Sequence, residues 1–343
     1  MTSDINVKPS IFAHRGASGY RPEHTRSSYL LALEMSAEAI ELDLVPTRDG
    51  VLVVRHESEI SMSTDVGEHA EFADRHATKT VDGRTQSGFF TEDFTWAELT
   101  RLRCRERFPT MRPDSAASND SEPILRLNDV LDLFEKTAGA GVALILELKD
   151  ATYFDEQGLP LDALLEMTLQ QAGWAANDPR LTIECFQKTI LLRMRARGIG
   201  ARHVYLMEFG GVAWDEVTWA AEQGVPSLSY IDELSDAGLE ALGGTFDGLG
   251  LDARFLVDIF TGSVDAGRKI VEAAHCSGLT VFTWTLRPEN RFLPLKWQVG
   301  LDQAAWGNWQ GYFASLYSLG VDGVFADHPD LALAARESVS ARP

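Results

Sequence analysis

Two carboxylates, Glu41 and Asp43, stand two residues apart in the apolar run Ala39–Leu44. On a strand that spacing turns both side chains to one face. Adjacent buried carboxylates repel unless a cation sits between them, and hard divalent ions prefer such oxygen ligands. The alternative is an edge strand with an acidic solvent face. A second apolar run, Ala143–Leu148, ends with Glu147 and Lys149 on one face. Glu147 can complete a three-carboxylate site with Glu41 and Asp43. Lys149 can neutralise a phosphate oxygen beside the ion as a compact charge with three donors. Alternatively, the two pair with residues at a rim. The run Ile11–Arg15 delivers His14 and Arg15 into Gly16. Arg15 offers the planar, bidentate donors that match a phosphate, and Gly16 permits a sharp bend. A turn at Asp49-Gly50 then folds a short strand back from the Glu41 and Asp43 strand, returning His56 toward the same place. Two imidazoles flanking one phosphate can serve as general base and general acid near neutral pH. Taken singly, each histidine also suits an ordinary structural role.

These groups need a scaffold that brings distant segments together. Short apolar runs that read as buried strands occur at Ile11–Arg15, Ala39–Leu44, Ala143–Leu148, Leu181–Phe186, His203–Met207, Gly248–Leu251, Thr280–Thr285 and Gly323–Ala326. Helical patterns intervene, as at Val264–Ser277 closed by Gly278 and at Gln310–Leu319 closed by Gly320. Eight strands alternating with helices suit a (β/α)8 TIM barrel, although a doubly wound open sheet alternates in the same way. The barrel is the expectation, with function at the carboxyl ends of its strands. Residues 1–343 are read as one catalytic domain, and residues 57–123, after the second strand, as an insertion on it. Within the insertion, Thr95–Arg105 reads as one helix opened by a Thr95…Glu98 capping box, and Pro113–Pro123 as loop. The insertion suits a lid or substrate wall, or else a solvated decoration.

A formal charge of −20 disfavours nucleic acid and anionic lipid as partners. No run approaches the roughly 20 apolar residues that span a bilayer. Cys104, Cys185 and Cys276 are far apart and lack metal-site spacing, so they read as packed thiols. Met1–Pro9 has no apolar leader, which reads as cytoplasmic unless a leader has been removed.

Taken together, His14-Arg15-Gly16, Pro22-Glu23-His24-Thr25, Glu41-x-Asp43 with Thr47-Arg48-Asp49-Gly50 and His56, and Glu147-x-Lys149 resemble the glycerophosphodiester phosphodiesterase family. Thr283-Trp284-Thr285 and Asp322 to Pro329 look like that family's last two strands. The insertion is most similar to the longer bacterial members of the periplasmic type. The resemblance covers about Ile11 to Leu333. It implies a barrel, one divalent cation (magnesium or calcium), and hydrolysis of a small glycerophosphodiester to sn-glycerol 3-phosphate and an alcohol. Position by position it implies Glu41, Asp43 and Glu147 as metal ligands, His14 and His56 as the acid–base pair, and Arg15 and Lys149 on the phosphate. Phe186 and Trp284 suit a glycerol pocket or the core equally. Three residues depart from the family pattern: His24 stands where asparagine is usual, Glu57 where aspartate is usual, and Met62 where arginine is frequent. A lysophospholipase D would require an apolar groove or membrane-binding face, and a phosphoinositide-specific phospholipase C a basic docking surface. The acidic chain shows no pattern for either. A catalytically silent barrel that binds a phosphorylated ligand is the reading from another class. Stable membrane association is not expected, and the oligomeric state is left open.

Overall fold

A computed structural model describes residues 8–137, 141–174 and 178–340. Most of the amino-terminal segment Met1–Pro9 therefore lies outside the described residues. The strands are β1 (Ser10–His14), β2 (Ala39–Pro46), β3 (Leu52–Val54), β4 (Ala77–Val81), β5 (Arg84–Gly88), β6 (Ala143–Leu148), β7 (Leu181–Cys185), β8 (Arg202–Met207), β9 (Gly248–Asp252), β10 (Thr280–Leu286) and β11 (Gly323–Ala326). Eight of them run parallel in the order β1, β2, β6, β7, β8, β9, β10, β11. The ring closes because β1 pairs with both ends of that series: Phe12 lies opposite Ala39 and His14 opposite Glu41 on β2, while Ser10 to Ala13 pair with Gly323 to Ala326 on β11. Helices lie between successive barrel strands in the sequence, from Arg26–Glu34 to Trp309–Tyr317, and Pro329–Ser340 follows the last strand. The molecule is a (β/α)8 barrel, and each expected strand falls on one of the eight.

Alternation along each strand divides the barrel interior into layers. The lower layer is apolar: Phe12, Ala39, Ile145, Val204, Phe282 and Phe325 form one buried cluster. The Phe12 ring meets Phe282 and Phe325 edge-on at centroid distances of 4.9 and 5.1 Å. Gly323 makes room for it, since a Cβ there would lie 2.4 Å from the Phe12 ring. Two residues further along three of the strands the inward positions become polar: His14 above Phe12, Glu41 above Ala39, and Glu147 above Ile145, while Leu206 and Trp284 keep β8 and β10 apolar. The apolar plug thus holds the ionisable layer at the carboxyl ends.

The expected turn after β2 is present. Gly50 adopts φ +75°, its amide donates to the Thr47 carbonyl at 3.0 Å, and β3 returns antiparallel against β2. Helices Asp265–Cys276 and Trp309–Tyr317 match the expected ones within two residues, and Gly278 and Gly320 each follow with φ +79°.

Two local expectations in the insertion require correction. The helix expected over Thr95–Arg105 is a single turn, Trp96–Leu99, although its capping box forms as anticipated. Beyond it Arg103 and Cys104 bridge to Pro123 and Thr64, and this pairing ends the helix. Pro113–Ala116 is one helical turn rather than loop, with Pro113 in the first turn where its missing N–H costs nothing. The β4–β5 hairpin also belongs to the insertion. Cys104 and Cys185 are buried, but Cys276 is exposed and is not a packed thiol. No helix among the described residues is long and apolar enough to cross a membrane.

Candidate active site

Strand register gathers the acidic residues. Asp43 on β2 lies opposite Glu147 on β6, and Glu147 lies opposite Glu184 on β7. Ligand oxygens of Glu41, Glu147 and Glu184 all lie within 4.8 Å of one another, and all three residues are buried. Asp43 stands beside Glu147 and is compensated differently. Its Oδ2 accepts from His24 Nε2 at 2.9 Å and lies 3.2 Å from Arg15 Nε, while Oδ1 is 3.5 Å from Lys149 Nζ. Burial, followed by Asp43 and Glu184, pushes Glu41 well above the ordinary carboxyl range. Glu147 is pushed up to about 8 by burial and by Asp43, against the opposing pull of Lys149. Burial, followed by Glu147 and Asp43, also pushes Glu184 well above the ordinary carboxyl range. Protein cations therefore hold Asp43 ionised, while the other three carboxyls lack sufficient positive charge around them.

Arg15 is fixed by a left-handed backbone at φ +60° followed by Gly16 at φ +82°. A Cβ on Gly16 would lie 2.8 Å from the Ser28 backbone, so this turn requires glycine. The Arg15 amide donates to Glu41 Oε2 at 2.8 Å, and its guanidinium donates to Glu23 Oε2 at 2.9 Å. Lys149 donates to Glu147 Oε1 at 2.5 Å and lies 5.6 Å above the Phe186 ring.

Each catalytic candidate imidazole has a carboxylate on its inner nitrogen. His14 Nδ1 donates to Asp327 Oδ1 at 2.6 Å, leaving Nε2 as the free nitrogen. Burial and the nearby Arg15 push its pKa down to about 3, although Asp327 pulls the other way. His56 pairs in the same manner with Glu57. Burial, Arg15 and Lys149 bring it down to about 4. The Arg55 amide donates to the Asp43 carbonyl at 3.1 Å, anchoring the segment that carries His56 beside β2. Both rings are neutral at pH 7 in this state.

Every expected site residue except Asp43 lines one cavity of about 780 Å³, within the usual size for a small-molecule site. Phe186 and Trp284 meet edge-on there at 5.6 Å, and the Trp284 indole donates to the Gly250 carbonyl at 3.0 Å. The insertion contributes Met62, Phe108 and the β4–β5 hairpin to the wall. Asp82 at the hairpin tip accepts from Gln187 and from the Tyr153 amide, which ties the hairpin to the short helix after β6 and the loop after β7.

Sequence reasoning missed several members of the site. Glu184 interrupts the run Leu181–Phe186 much as Glu147 interrupts its own strand, so a signal was present. Asp327 binds His14 and also accepts from Arg112 at 2.7 Å and Arg287 at 2.7 Å. Arg107 forks onto Glu23 at 2.7 and 3.0 Å and reaches Glu57 at 2.6 Å. His24, with φ +59° and no exposed surface, joins Asp43 to the Tyr29 hydroxyl.

Comparison with known proteins gives a consistent result. Residues 14–331 match the Glycerophosphoryl diester phosphodiesterase family. A glycerophosphodiester phosphodiesterase of Arabidopsis thaliana is 28% identical over 334 residues, covering 93% of this chain and 84% of its own length. One from Treponema pallidum is 24% identical, covering 81% of each. The barrel is similar to the crystal structure of a glycerophosphoryl diester phosphodiesterase from Silicibacter pomeroyi, with a TM-score of 0.67 at 20% identity, covering 97% of this chain and 94% of that one. It is also similar to an Oleispira antarctica phosphodiesterase in complex with the product sn-glycerol-3-phosphate, with a TM-score of 0.59 at 21% identity, covering 96% and 97%.

Proposed function

Because this chain belongs to the glycerophosphoryl diester phosphodiesterase family, and is accordingly a phosphodiesterase of glycerophosphodiesters, we propose that its cavity hydrolyses such a diester to sn-glycerol 3-phosphate and an alcohol by paired-histidine catalysis. The observation that carries this reading is that His14 and His56 face one cavity, each with a carboxylate behind it, beside Arg15, Lys149 and a carboxylate cluster.

A divalent ion, magnesium or calcium, fits the residues present. The donors are all carboxylate oxygens, and Asp43 Oδ1 and Glu184 Oε2 are buried without a hydrogen-bond partner. Glu41, Asp43 and Glu147 would hold the ion, which when bound supplies positive charge for the nonbridging phosphate oxygens. Arg15 and Lys149 bind the phosphate by charge-assisted hydrogen bonds that strengthen as negative charge builds on those oxygens. One imidazole removes the proton from the glycerol hydroxyl next to the phosphorus, and that oxygen attacks. As the bond from phosphorus to the alcohol oxygen breaks, the other imidazole gives its proton to the departing oxygen. Water then opens the cyclic phosphate with the two rings exchanging roles. Substrate binding prepares the acid, since the diester's charge offsets Arg15 and Lys149, two of the causes that hold His56 neutral. Phe186 and Trp284 form the apolar wall for the glycerol carbons, and residues 57–123 act as a substrate wall on one domain with the barrel.

The test is release of glycerol 3-phosphate from a panel of glycerophosphodiesters, with and without chelator, for the wild type and His14→Ala. Wild-type release that chelator or the substitution abolishes supports the reading. A wild type inactive on every diester at every ion concentration indicates a barrel that only binds a phosphorylated ligand.

A further inference from the structure

Glu184 stands apart from every other acidic residue of the site. It is 2% exposed, its Oε2 has no hydrogen-bond partner, and no lysine, arginine or histidine among the described residues forms an ion pair with it. Asp43 by contrast rests against Arg15, His24 and Lys149; Glu147 takes Lys149; and Glu41 accepts the Arg15 amide. Glu184 has no such neighbour, yet β7 aims its carboxyl at Glu41 and Glu147 within 4.8 Å. An isolated buried carboxylate is among the costliest groups a fold can retain.

Resting on the proposal that a divalent ion occupies this cavity, we propose that Glu184 is a further carboxylate ligand of that ion, supplied by a third strand. The register supports the assignment, because Asp43, Glu147 and Glu184 lie side by side on β2, β6 and β7, and Glu41 stands one inward position below Asp43. With its Oδ2 engaged by His24, Asp43 has only Oδ1 left for an ion, and Glu184 replaces the oxygen thereby withdrawn. Four carboxylates around one cation exceed what magnesium ordinarily uses and suit a calcium-sized ion with a larger oxygen shell.

The test reads metal binding rather than turnover. Calcium isotherms are recorded calorimetrically on chelator-stripped wild type and Glu184→Gln, with thermal unfolding of both in chelator and in calcium. The expected result is at least tenfold weaker calcium binding for Glu184→Gln and a smaller calcium-induced rise in melting temperature. In chelator the variant should melt above the wild type, because one repelling carboxyl is gone. An isotherm within threefold of wild type overturns the assignment and leaves the proposed function standing. A wild type that binds no ion removes the metal site of the proposed function, and this ligand with it. If Glu184→Gln does not fold, Glu184→Asp carries the same test, since it keeps the charge but withdraws it by one methylene. Tenfold weaker binding then supports the ligand, and unchanged binding overturns it.

Discussion

Asp327→Asn tests the acid–base assignment through a single atom pair. In the native protein Asp327 Oδ1 accepts from His14 Nδ1 at 2.6 Å, and Oδ2 accepts from Arg112 and Arg287 at 2.7 Å each. Burial opposes the charge, but the two guanidiniums outweigh it and hold the carboxyl well below its usual range. Asparagine has one oxygen and one amide nitrogen for these three donors. Two charge-assisted bonds to arginine are worth about 1.5–3 kcal/mol each, against one bond to a neutral ring, so the oxygen faces the arginines. The amide then donates to His14 Nδ1, the ring proton moves to Nε2, and the cavity loses the lone pair that accepts a proton. General acid–base catalysis contributes about 10² to 10⁴ in rate, and kcat should fall by that much with KM nearly unchanged. Removing one side of a buried charge network should also cost about 3–5 kcal/mol of stability. The assays are steady-state kinetics on the best diester, urea unfolding, and nitrogen-15 chemical shifts of the His14 ring, which report the tautomer. A folded variant with the proton on Nε2 and kcat within threefold of wild type would refute the role given to His14.

Other expectations follow from the same geometry. His14 titrates near 3 in the folded state against an ordinary 6.5, so below pH 6.5 the unfolded chain binds the proton first; the contribution is complete above about 6.5 and is lost as pH falls toward 3. His14→Gln should therefore lose less stability than wild type between pH 7.5 and 4.5, by on the order of a few kcal/mol, and parallel urea titrations that decline equally would contradict the burial argument. Lys149→Met should lower kcat by about 10² or more, since it removes a charge from the reacting phosphate and strips Glu147 of its partner; an effect confined to KM would recast Lys149 as a binding residue only. Trp284→Ala should raise KM for glycerophosphodiesters by about tenfold while kcat stays within a few-fold, from loss of apolar wall. An unchanged KM would place glycerol elsewhere in the cavity.

Much of the barrel was legible because strands buried on both faces read as continuous apolar runs, and a carboxylate that breaks such a run stands out. That is how Glu41, Asp43 and Glu147 were singled out as candidates, and Glu184 carried the same mark within Leu181–Phe186 without being taken for anything but strand. Closure was not legible from alternation, since an open sheet alternates identically; it depends on β1 meeting both β2 and β11. The insertion was the least readable part. Its short turns and bridges leave no periodicity, and the single helix expected over Thr95–Arg105 is cut short by pairing with residues distant in sequence. Arg112 gave no sign of its role because its partners, Glu289 and Asp327, lie 177 and 215 positions away.

Arg107 and Arg112 give residues 57–123 a hereditary constraint. Both arginines come from the excursion, and the acids they neutralise, Glu23, Glu289 and Asp327, come from the first turn and the last third of the chain. Arg55, with no exposed surface, adds a knot by donating to the backbone carbonyls of Glu23 and Ser63 and to the Cys104 sulfur. Chimaeras that exchange this stretch between relatives would have to carry the matching acids with it. Shortening it would leave Glu289 without its arginine and take one cation each from Glu23 and Asp327, so the length of this stretch and those acids are coupled.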